Sequence, residues 1–290
     1  MNNYVIVTDC TSDLSLDVIH KYDLKVIPME FRLGEQEYLH SADFKVFHEV
    51  KFYDKLRDGV EASTSQISPY AYEEFLTPLL EAGNDILYIA LSSGLSSTYA
   101  SSVVAIQALQ DKYKQQTIYT LDSLAASAGE GLMVYHACKN REAGMRIEEN
   151  KTWLEEHIQN FAHWVVVDDL NHLKRGGRIS ATTAFVGSAL SIKPIIHVNE
   201  EGKLINVGKV HGRKKSLTTI ANKLKETISP KDQTIMIAHG DCYEDALFLK
   251  DKIMEMKLVE EVIISEIGPV IGAHSGPGTV ALFYMGTTRY

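Results

Sequence analysis

The sequence predicts an α/β protein of two domains. Residues 1–160 are expected to form a mostly parallel, three-layer sheet domain, and residues 161–290 a domain with a mixed sheet. In the first half, short apolar runs alternate with helical patterns, which is typical of a parallel sheet covered by helices on both faces. Near Trp164 the order of predicted elements changes to a hairpin followed by a strand, a helix and a strand. Polar loops follow several first-half strands, and such loops gather at the edge where open α/β sheets bind ligands.

Apolar runs and helical spacing place the elements of the first half. Strands are predicted at residues 4–8, 24–28, 85–91 and 117–121, with a hairpin or strand extension over 29–39. Helices are predicted at residues 14–21, 41–56, 68–80, 98–109, 125–139 and 146–161. The helix over 41–56 is expected to contain a break. Ser68 is a favourable N-cap before Pro69, and Pro78 is expected to kink or end the helix that follows.

The second half is predicted in the same way. Strands are expected at residues 164–167, 193–199, 203–209, 234–238, 261–265 and 279–285. Helices are expected at residues 181–191, 213–228 and 243–256. The segment 268–278 is predicted to be a loop, because it contains four glycines and two prolines.

Composition narrows the class of function. Lys and Arg number 29 against 38 Asp and Glu, a formal net charge of −9, so no global positive field would attract nucleic acid. The apolar runs are too short to span a bilayer, and the first residues do not resemble a signal peptide. Three cysteines lie far apart without paired spacing. A cytoplasmic protein with free thiols is therefore expected.

The segment LSSGLSSTY at residues 91–99 is the strongest site signal. It lies where a predicted buried strand ends and a helix begins, and such a corner presents free backbone N–H groups and the positive end of a helix dipole. Its hydroxyl groups exceed what a helix cap needs. Ser92, Ser93 and Gly94 are therefore candidate anion-binding residues, and Thr64 and Ser65, in another polar loop, are expected close by.

Three further segments carry candidate residues. His274 lies within the 268–278 segment, where a histidine can donate a hydrogen bond or accept a proton. Arg175 and Arg178 flank a Gly-Gly pair, and guanidinium groups bind carboxylate and phosphate. Arg213 and Lys214 begin a basic helix. No His, Cys or Asp set has metal-ligand spacing, so no metal site is predicted.

Taken together, these motifs resemble the DegV family, and the resemblance runs nearly end to end. It is carried by residues 7–14, 64–66, 92–99, 122–123 with 126–129, 173–179, 193–196, 213–215 and 268–278. The sequence departs from the family pattern at Ile67, where proline is common, and at Ser97, where glycine is common. Neither change removes a hydrogen-bond donor, although Ser97 could narrow the corner.

The resemblance implies a two-domain α/β protein that buries one long-chain fatty acid and needs no cofactor. It further implies a fatty-acid-binding (FakB-like) subunit of a bacterial fatty acid kinase, whose catalytic subunit makes an acyl phosphate for phospholipid synthesis. Thr64 and Ser93 would then hydrogen-bond the carboxylate and His274 would complete the network. Arg175 and Arg178 would support the head group or kinase docking.

The same resemblance gives Arg213 and its neighbour Lys214 a partner-binding role, toward the kinase, a phosphate or, transiently, a membrane. Two alternatives stay open. Ser93 could be a nucleophile with His274 as base on an acyl ester, although the sequence marks no third member of such a triad. The chain could also bind a small hydroxy-ketone, by analogy with the substrate domain of dihydroxyacetone kinases.

Overall fold

The computed structural model describes residues 4–180 and 191–290. The predicted helix over 181–191 falls almost entirely outside these residues. In the described ranges the strands form three sheets, and the α/β fold class predicted from the sequence is confirmed. The sheets contain four, three and six strands.

The first sheet is parallel and has the strand order β2-β1-β6-β7. Its strands are β1 (Tyr4–Asp9), β2 (Lys25–Ile27), β6 (Asp85–Ala90) and β7 (Ile118–Asp122). Every residue of β6 after Asp85 is buried, because helices cover both faces of this strand. That burial is why its sequence is a continuous apolar run.

The second sheet is a small antiparallel one of order β4-β3-β5. The predicted hairpin is confirmed as β3 (Met29–Leu33) and β4 (Gln36–His40), which turn at Gly34 with a φ of 63°. The third strand, β5 (Ala62–Thr64), was expected to be part of a polar loop. It ends at Thr64 and so fixes the backbone of this candidate site residue.

The third sheet is mixed and has the order β10-β9-β8-β13-β11-β12. Its strands are β8 (Phe161–Val166), β9 (Ile192–Val198), β10 (Leu204–His211), β11 (Gln233–His239), β12 (Val259–Glu266) and β13 (Val280–Met285). Only β11 and β12 pair in parallel, so the predicted mixed sheet and its hairpin are confirmed.

The described α-helices follow the predicted pattern with three differences. They are α1 (Leu16–Lys21), α2 (Lys45–Glu49), α3 (Phe52–Arg57), α4 (Pro69–Glu81), α5 (Thr98–Lys112), α6 (Ala128–Glu142), α7 (Ile147–His157), α8 (Asn171–Arg175), α9 (Arg213–Thr227), α10 (Tyr243–Glu255) and α11 (Pro269–Ser275). The break that was expected in the helix over 41–56 is confirmed, since α2 and α3 are separate helices and Lys51 between them has a φ of 51°. Helix α8 was not predicted. Helix α4 continues through Pro78 to Glu81. Helix α11 replaces the loop that was predicted over 268–278.

Helix α6 lies between the parallel sheet and the six-stranded sheet. One apolar cluster joins Leu132 and Met133 of α6 to Leu87 of β6 and to Phe161 and Phe283 of the six-stranded sheet. Helices α4 and α5 cover the other face of the parallel sheet, and α9 and α10 cover the outer face of the six-stranded sheet. This core crosses residue 160, so the two halves pack as neighbours around α6, and the domain boundary at 160 stays a prediction.

Candidate functional site

A cavity of about 280 Å³ lies between the loops at the carboxyl edge of the parallel sheet and the inner face of the six-stranded sheet. Most of its wall is apolar. The apolar lining residues are Met29, Leu91, Leu95, Ala126, Val165, Val167, Leu173, Ile196, Val198, Leu204, Ile267, Val270, Ile271, Ala281 and Phe283. Strands β8, β9, β10 and β13 supply many of them because alternate side chains of a strand face the same side.

Ten polar residues line the cavity, and seven of them are at least partly exposed, whereas Ser127, Ser275 and Thr279 are buried. The ten are Thr64, Ser65, Gln66, Ser96, Ser97, Ser127, Arg178, His274, Ser275 and Thr279. Ser65, Gln66 and Ser97 are exposed, and Thr64 and His274 are half-buried. The apolar wall is deeper, since Val167 and Ile196 have no exposed surface. The cavity therefore has a polar mouth and an interior that is mostly apolar.

Thr64 and His274 form the central polar contact of the mouth. The Thr64 hydroxyl lies 2.8 Å from Nε2 of His274. Burial is the main cause that lowers the pKa of His274 to about 4, with a smaller contribution from the nearby Arg178 guanidinium, so the imidazole is neutral at physiological pH. When Nε2 carries the ring proton and donates it to Thr64, the Thr64 hydroxyl proton is free to point at a ligand.

Helix α11 sets the position of His274, which the sequence placed in a loop. Pro269 occupies the first turn, where its missing N–H costs nothing, and Gly276 ends the helix with a φ of 76°. The glycines and prolines thus lie mostly at the helix ends. The loop prediction over 268–278 was wrong for this reason, while the prediction that His274 belongs to a ligand site stays a prediction.

Arg178 supplies a positive charge beside this pair. Its Nε donates to the Leu95 carbonyl at 3.1 Å, and Nη1 donates to the Gly176 carbonyl. Burial lowers the pKa of Arg178, but a guanidinium stays charged at neutral pH. Five N–H donors are available and two are used by these carbonyls, which leaves donors for an anion. Arg178 was predicted to support the head group or to dock the kinase, and it lies in the cavity wall.

Ser92, Ser93 and Gly94 lie near the start of the hydroxyl-rich segment 91–99. They lie where the first half of the chain packs against the second half. The fully buried Ser92 hydroxyl donates to the Gly202 carbonyl at 2.9 Å and accepts the Gly94 N–H. A Cβ on Gly94 would lie 2.6 Å from the Glu201 carbonyl oxygen, so only glycine fits there. Ser93 is exposed, and its N–H donates to Asp122. These three residues are not among those that line the cavity.

Ser96 and Ser97 are the serines of this corner that line the cavity. The Ser96 hydroxyl accepts the Thr98 N–H at 3.2 Å and contacts the Thr98 hydroxyl, at the start of α5. Sequence reasoning singled out the earlier residues of the segment. The position of Ser96 and Ser97 in the sequence could have indicated them, because the residues directly before the start of a helix are closest to its free N–H groups.

The remaining basic candidates lie away from the lining. Arg175 is exposed, and its Nη2 lies 3.0 Å from Nδ1 of His172. Arg213 is paired with Asp245 at 2.9 Å and with Asp168 at 3.3 Å, which leaves 19% of its side chain exposed. Lys214 is exposed, with Nζ 5.7 Å from the centroid of the Phe248 ring.

A buried acidic network lies behind the cavity, and sequence reasoning missed it. Asp13 accepts the Ser127 hydroxyl at 2.5 Å and the Gly268 N–H at 2.9 Å, so it ties α6 to the start of α11. Burial raises the pKa of Asp13 to about 8. Asp9 and Glu130 are also fully buried, and both contact the Thr11 hydroxyl. One hydroxyl proton cannot serve both, so at least one of these two carboxyls carries a proton.

Across residues 4–180 and 191–290, no group of three or more His, Cys, Asp or Glu side chains could hold a metal ion. In the same ranges, no helix is both long and apolar enough to cross a bilayer.

Comparisons with known proteins cover the whole chain. A family model described as "Uncharacterised protein, DegV family" matches residues 3–287. A DegV domain-containing protein of Clostridium perfringens is 42% identical over 290 residues, covering 100% of this chain and 99% of that protein. One from Lactococcus lactis is 34% identical over 280 residues, covering 97% of this chain and 96% of that protein.

Solved structures of similar proteins share the fold. A DegV lipid-binding protein of Thermotoga maritima has a TM-score of 0.84 at 29% identity, covering 99% of this chain and 100% of that chain. A DegV family protein of Thermus thermophilus, described for its fatty acid binding, has a TM-score of 0.86 at 28% identity, covering 98% and 99%. The family match, the curated relatives and the shared fold lead to one conclusion: this chain belongs to the DegV family.

Proposed function

We propose that this protein binds one long-chain fatty acid in its cavity and presents the carboxylate to a partner kinase, which forms an acyl phosphate for phospholipid synthesis. The observation that carries the proposal is the division of the cavity into a polar mouth and a mostly apolar interior. A ligand that fits this division has one anionic end and one long apolar end. The solved relatives support it, since the Thermus thermophilus protein and a Streptococcus agalactiae relative are described as binding fatty acids.

The apolar wall supplies most of the binding free energy. Each buried methylene contributes about 0.8 kcal/mol, so a chain of a dozen methylenes gains roughly 10 kcal/mol before the cost of ordering it. Strands β8, β9 and β13 are held rigidly in the six-stranded sheet, so the wall is formed before the ligand arrives. Their side chains Val165, Ile196 and Ala281 would contact the acyl chain.

The mouth binds the carboxylate by charge and by hydroxyl donors. Arg178 offers unused guanidinium N–H groups, and charge-assisted hydrogen bonds are stronger than neutral ones. Thr64 offers its proton when His274 donates to it. Because His274 is neutral, this pair adds a donor without a second charge. Ser96 and Ser97 complete the polar rim, with no cofactor required.

The kinase part of the proposal rests on where the head group would lie. A carboxylate at Arg178 and Thr64 would sit at the solvent-facing end of the cavity, within reach of a second protein. Arg175 and Lys214 are exposed cations that would meet an acidic partner surface, whereas Arg213 is already paired with two carboxylates. We place the protein in the cytoplasm with such a partner and, at most, transiently at a membrane surface.

Both alternatives fit the cavity less well. An ester hydrolase would need Ser93 beside His274, yet Ser93 is exposed outside the lining, and Nε2 of His274 already contacts Thr64. Nδ1 of His274 has no hydrogen-bond partner among the described residues, so no acid orients the ring there. A hydroxy-ketone would need a short polar pocket, and most of this lining is apolar.

Palmitate and oleate titrations of the purified protein test ligand binding, with displacement of a fluorescent fatty acid as readout. Thr64→Val and Arg178→Gln are each expected to weaken binding by about tenfold or more, since each removes a hydrogen bond to a charged group. Thr218→Val on α9 is the matched control, because within residues 4–180 and 191–290 the Thr218 hydroxyl bonds only the Lys214 carbonyl of its own helix. Absence of binding by the wild type, or equal affinity of all variants, would contradict the proposal.

The kinase partner needs its own test. Lipid-loaded protein is incubated with ATP and the fatty acid kinase catalytic subunit of the same organism, and acyl phosphate is trapped with hydroxylamine. ATP-dependent product that requires both proteins supports presentation to a kinase. Product formed without this chain, or no product while fatty acid binding is intact, would refute that part alone.

A further inference from the structure

Ser275 stands out among the polar residues of the cavity because its hydroxyl is buried and has no hydrogen-bond partner among the described residues. It is the last residue of α11, directly after His274, and only 7% of it is exposed. It lines the cavity, and its Oγ makes no hydrogen bond to any described residue. A buried donor left without an acceptor costs free energy, and folded proteins satisfy nearly all such groups.

The backbone around Ser275 is held in place, so only rotation about the Cα–Cβ bond can redirect the hydroxyl. The Ser275 carbonyl accepts the Thr279 hydroxyl at 2.9 Å, and Gly276 accepts the same hydroxyl at 3.1 Å. A Cβ on Gly276 would lie 2.4 Å from Cδ2 of His172, which shows how closely α8 packs here. The Gly278 N–H then bonds the Gly240 carbonyl at 2.7 Å. The turn that follows α11 is therefore held from several sides.

We propose that Ser275 is a further ligand-binding residue, whose hydroxyl donates to the carboxylate of the acyl ligand beside Thr64 and Arg178. The inference rests on the proposed function, because it takes the ligand to be a fatty acid. A carboxylate has two oxygens and about four acceptor positions, so it can accept from Ser275 as well as from Thr64 and Arg178. A rigid, preformed donor loses little freedom when the ligand binds, which favours affinity.

The test compares Ser275→Ala with Ser265→Ala. Ser265 is a matched control, because it is 8% exposed and its Oγ also makes no hydrogen bond to a described residue, but it lies on β12 outside the cavity lining. Ser275→Ala is expected to weaken myristate binding by about tenfold or more. It should weaken binding of the alcohol of the same chain length by much less, since that ligand carries no charge.

Thermal unfolding of the ligand-free proteins separates a binding role from a structural one. The midpoint for Ser275→Ala should stay the same or rise, because the change removes a buried donor without a partner. Equal myristate affinity of Ser275→Ala and wild type would overturn the inference while leaving fatty acid binding intact. Equal losses for myristate and the alcohol, with a lowered unfolding midpoint, would also overturn it. Failure of the wild type to bind myristate would overturn the proposed function and this inference together.

Discussion

Substitution of Gly176 by alanine should damage the ligand site while leaving the fold intact. Gly176 follows α8 with φ −70° and ψ −11°, a conformation that alanine adopts readily. The substitution is unfavourable because Gly176 packs directly against His274 of α11. A Cβ built there lies 2.3 Å from Nδ1 of His274 and 3.2 Å from Cε1 of the same ring. The substitution therefore acts on His274 by steric contact alone.

The size of the effect follows from these distances. Non-bonded heavy atoms settle at about 3.5–4.0 Å, so the imidazole must move by more than about 1 Å. The contact of 2.8 Å between His274 and Thr64 cannot survive such a shift. A neutral hydrogen bond contributes about 0.5–1.5 kcal/mol, and the Thr64 hydroxyl also loses the partner that orients it. We expect palmitate to bind about tenfold more weakly, with the unfolding free energy within about 1 kcal/mol of wild type.

Gly177→Ala is the matched control for this prediction. No atom of the described residues lies within 4 Å of a Cβ at Gly177, but its φ of 69° is one that alanine disfavours. That variant should lose about 1 kcal/mol of stability and keep its palmitate affinity. Isothermal titration with palmitate and urea unfolding measure the two quantities. If Gly176→Ala binds palmitate as wild type does, or if both variants lose affinity equally, the account of the His274 site is refuted.

Three further predictions test the contact between Gly94 and Glu201, the proton on Asp13, and the position of the acyl chain in the cavity. Gly94→Ala should lower the unfolding free energy by about 1–3 kcal/mol, because its Cβ would meet the Glu201 carbonyl oxygen at 2.6 Å; an unchanged urea midpoint would contradict this. Burial holds a proton on Asp13 up to about pH 8, whereas the unfolded chain releases this proton near pH 4. The free energy of unfolding therefore falls as the pH rises from about 4 to about 8, by at most about 1.4 kcal/mol per pH unit. Asp13→Asn should flatten that slope in urea unfolding between pH 5 and pH 8, and an unchanged slope would count against the assignment. Ala281→Phe should fill the cavity and abolish palmitate binding without lowering the thermal midpoint, so retained binding would show that the chain lies elsewhere.

The sequence predicted the fold well where a single physical signal dominates. The strand β6 is buried on both faces, and that burial requires the continuous apolar run by which it was predicted. The order of predicted elements changes near Trp164 because the second half forms the mixed sheet. The hairpin of that sheet is stabilised by local turn residues. Helix α11 was missed because seven residues between glycines and prolines give too short a periodic pattern to outweigh the turn signal.

The site was predicted in outline, and its details depend on long-range contacts. The polar loops at the sheet edge gave Thr64 and Ser65, both of which line the cavity. Which serines of the corner face the cavity is decided by Gly202, whose carbonyl binds the Ser92 hydroxyl from 110 residues away. No local pattern encodes that contact. The same holds for Asp13, whose partners Ser127 and Gly268 are distant in sequence.

The most direct test of fatty acid binding is native mass spectrometry of the protein purified from its expression host, followed by extraction and identification of any bound molecule. We expect one long-chain fatty acid per chain, lost when Ala281→Phe fills the cavity. A protein that arrives empty and stays empty after addition of palmitate or oleate would contradict this expectation.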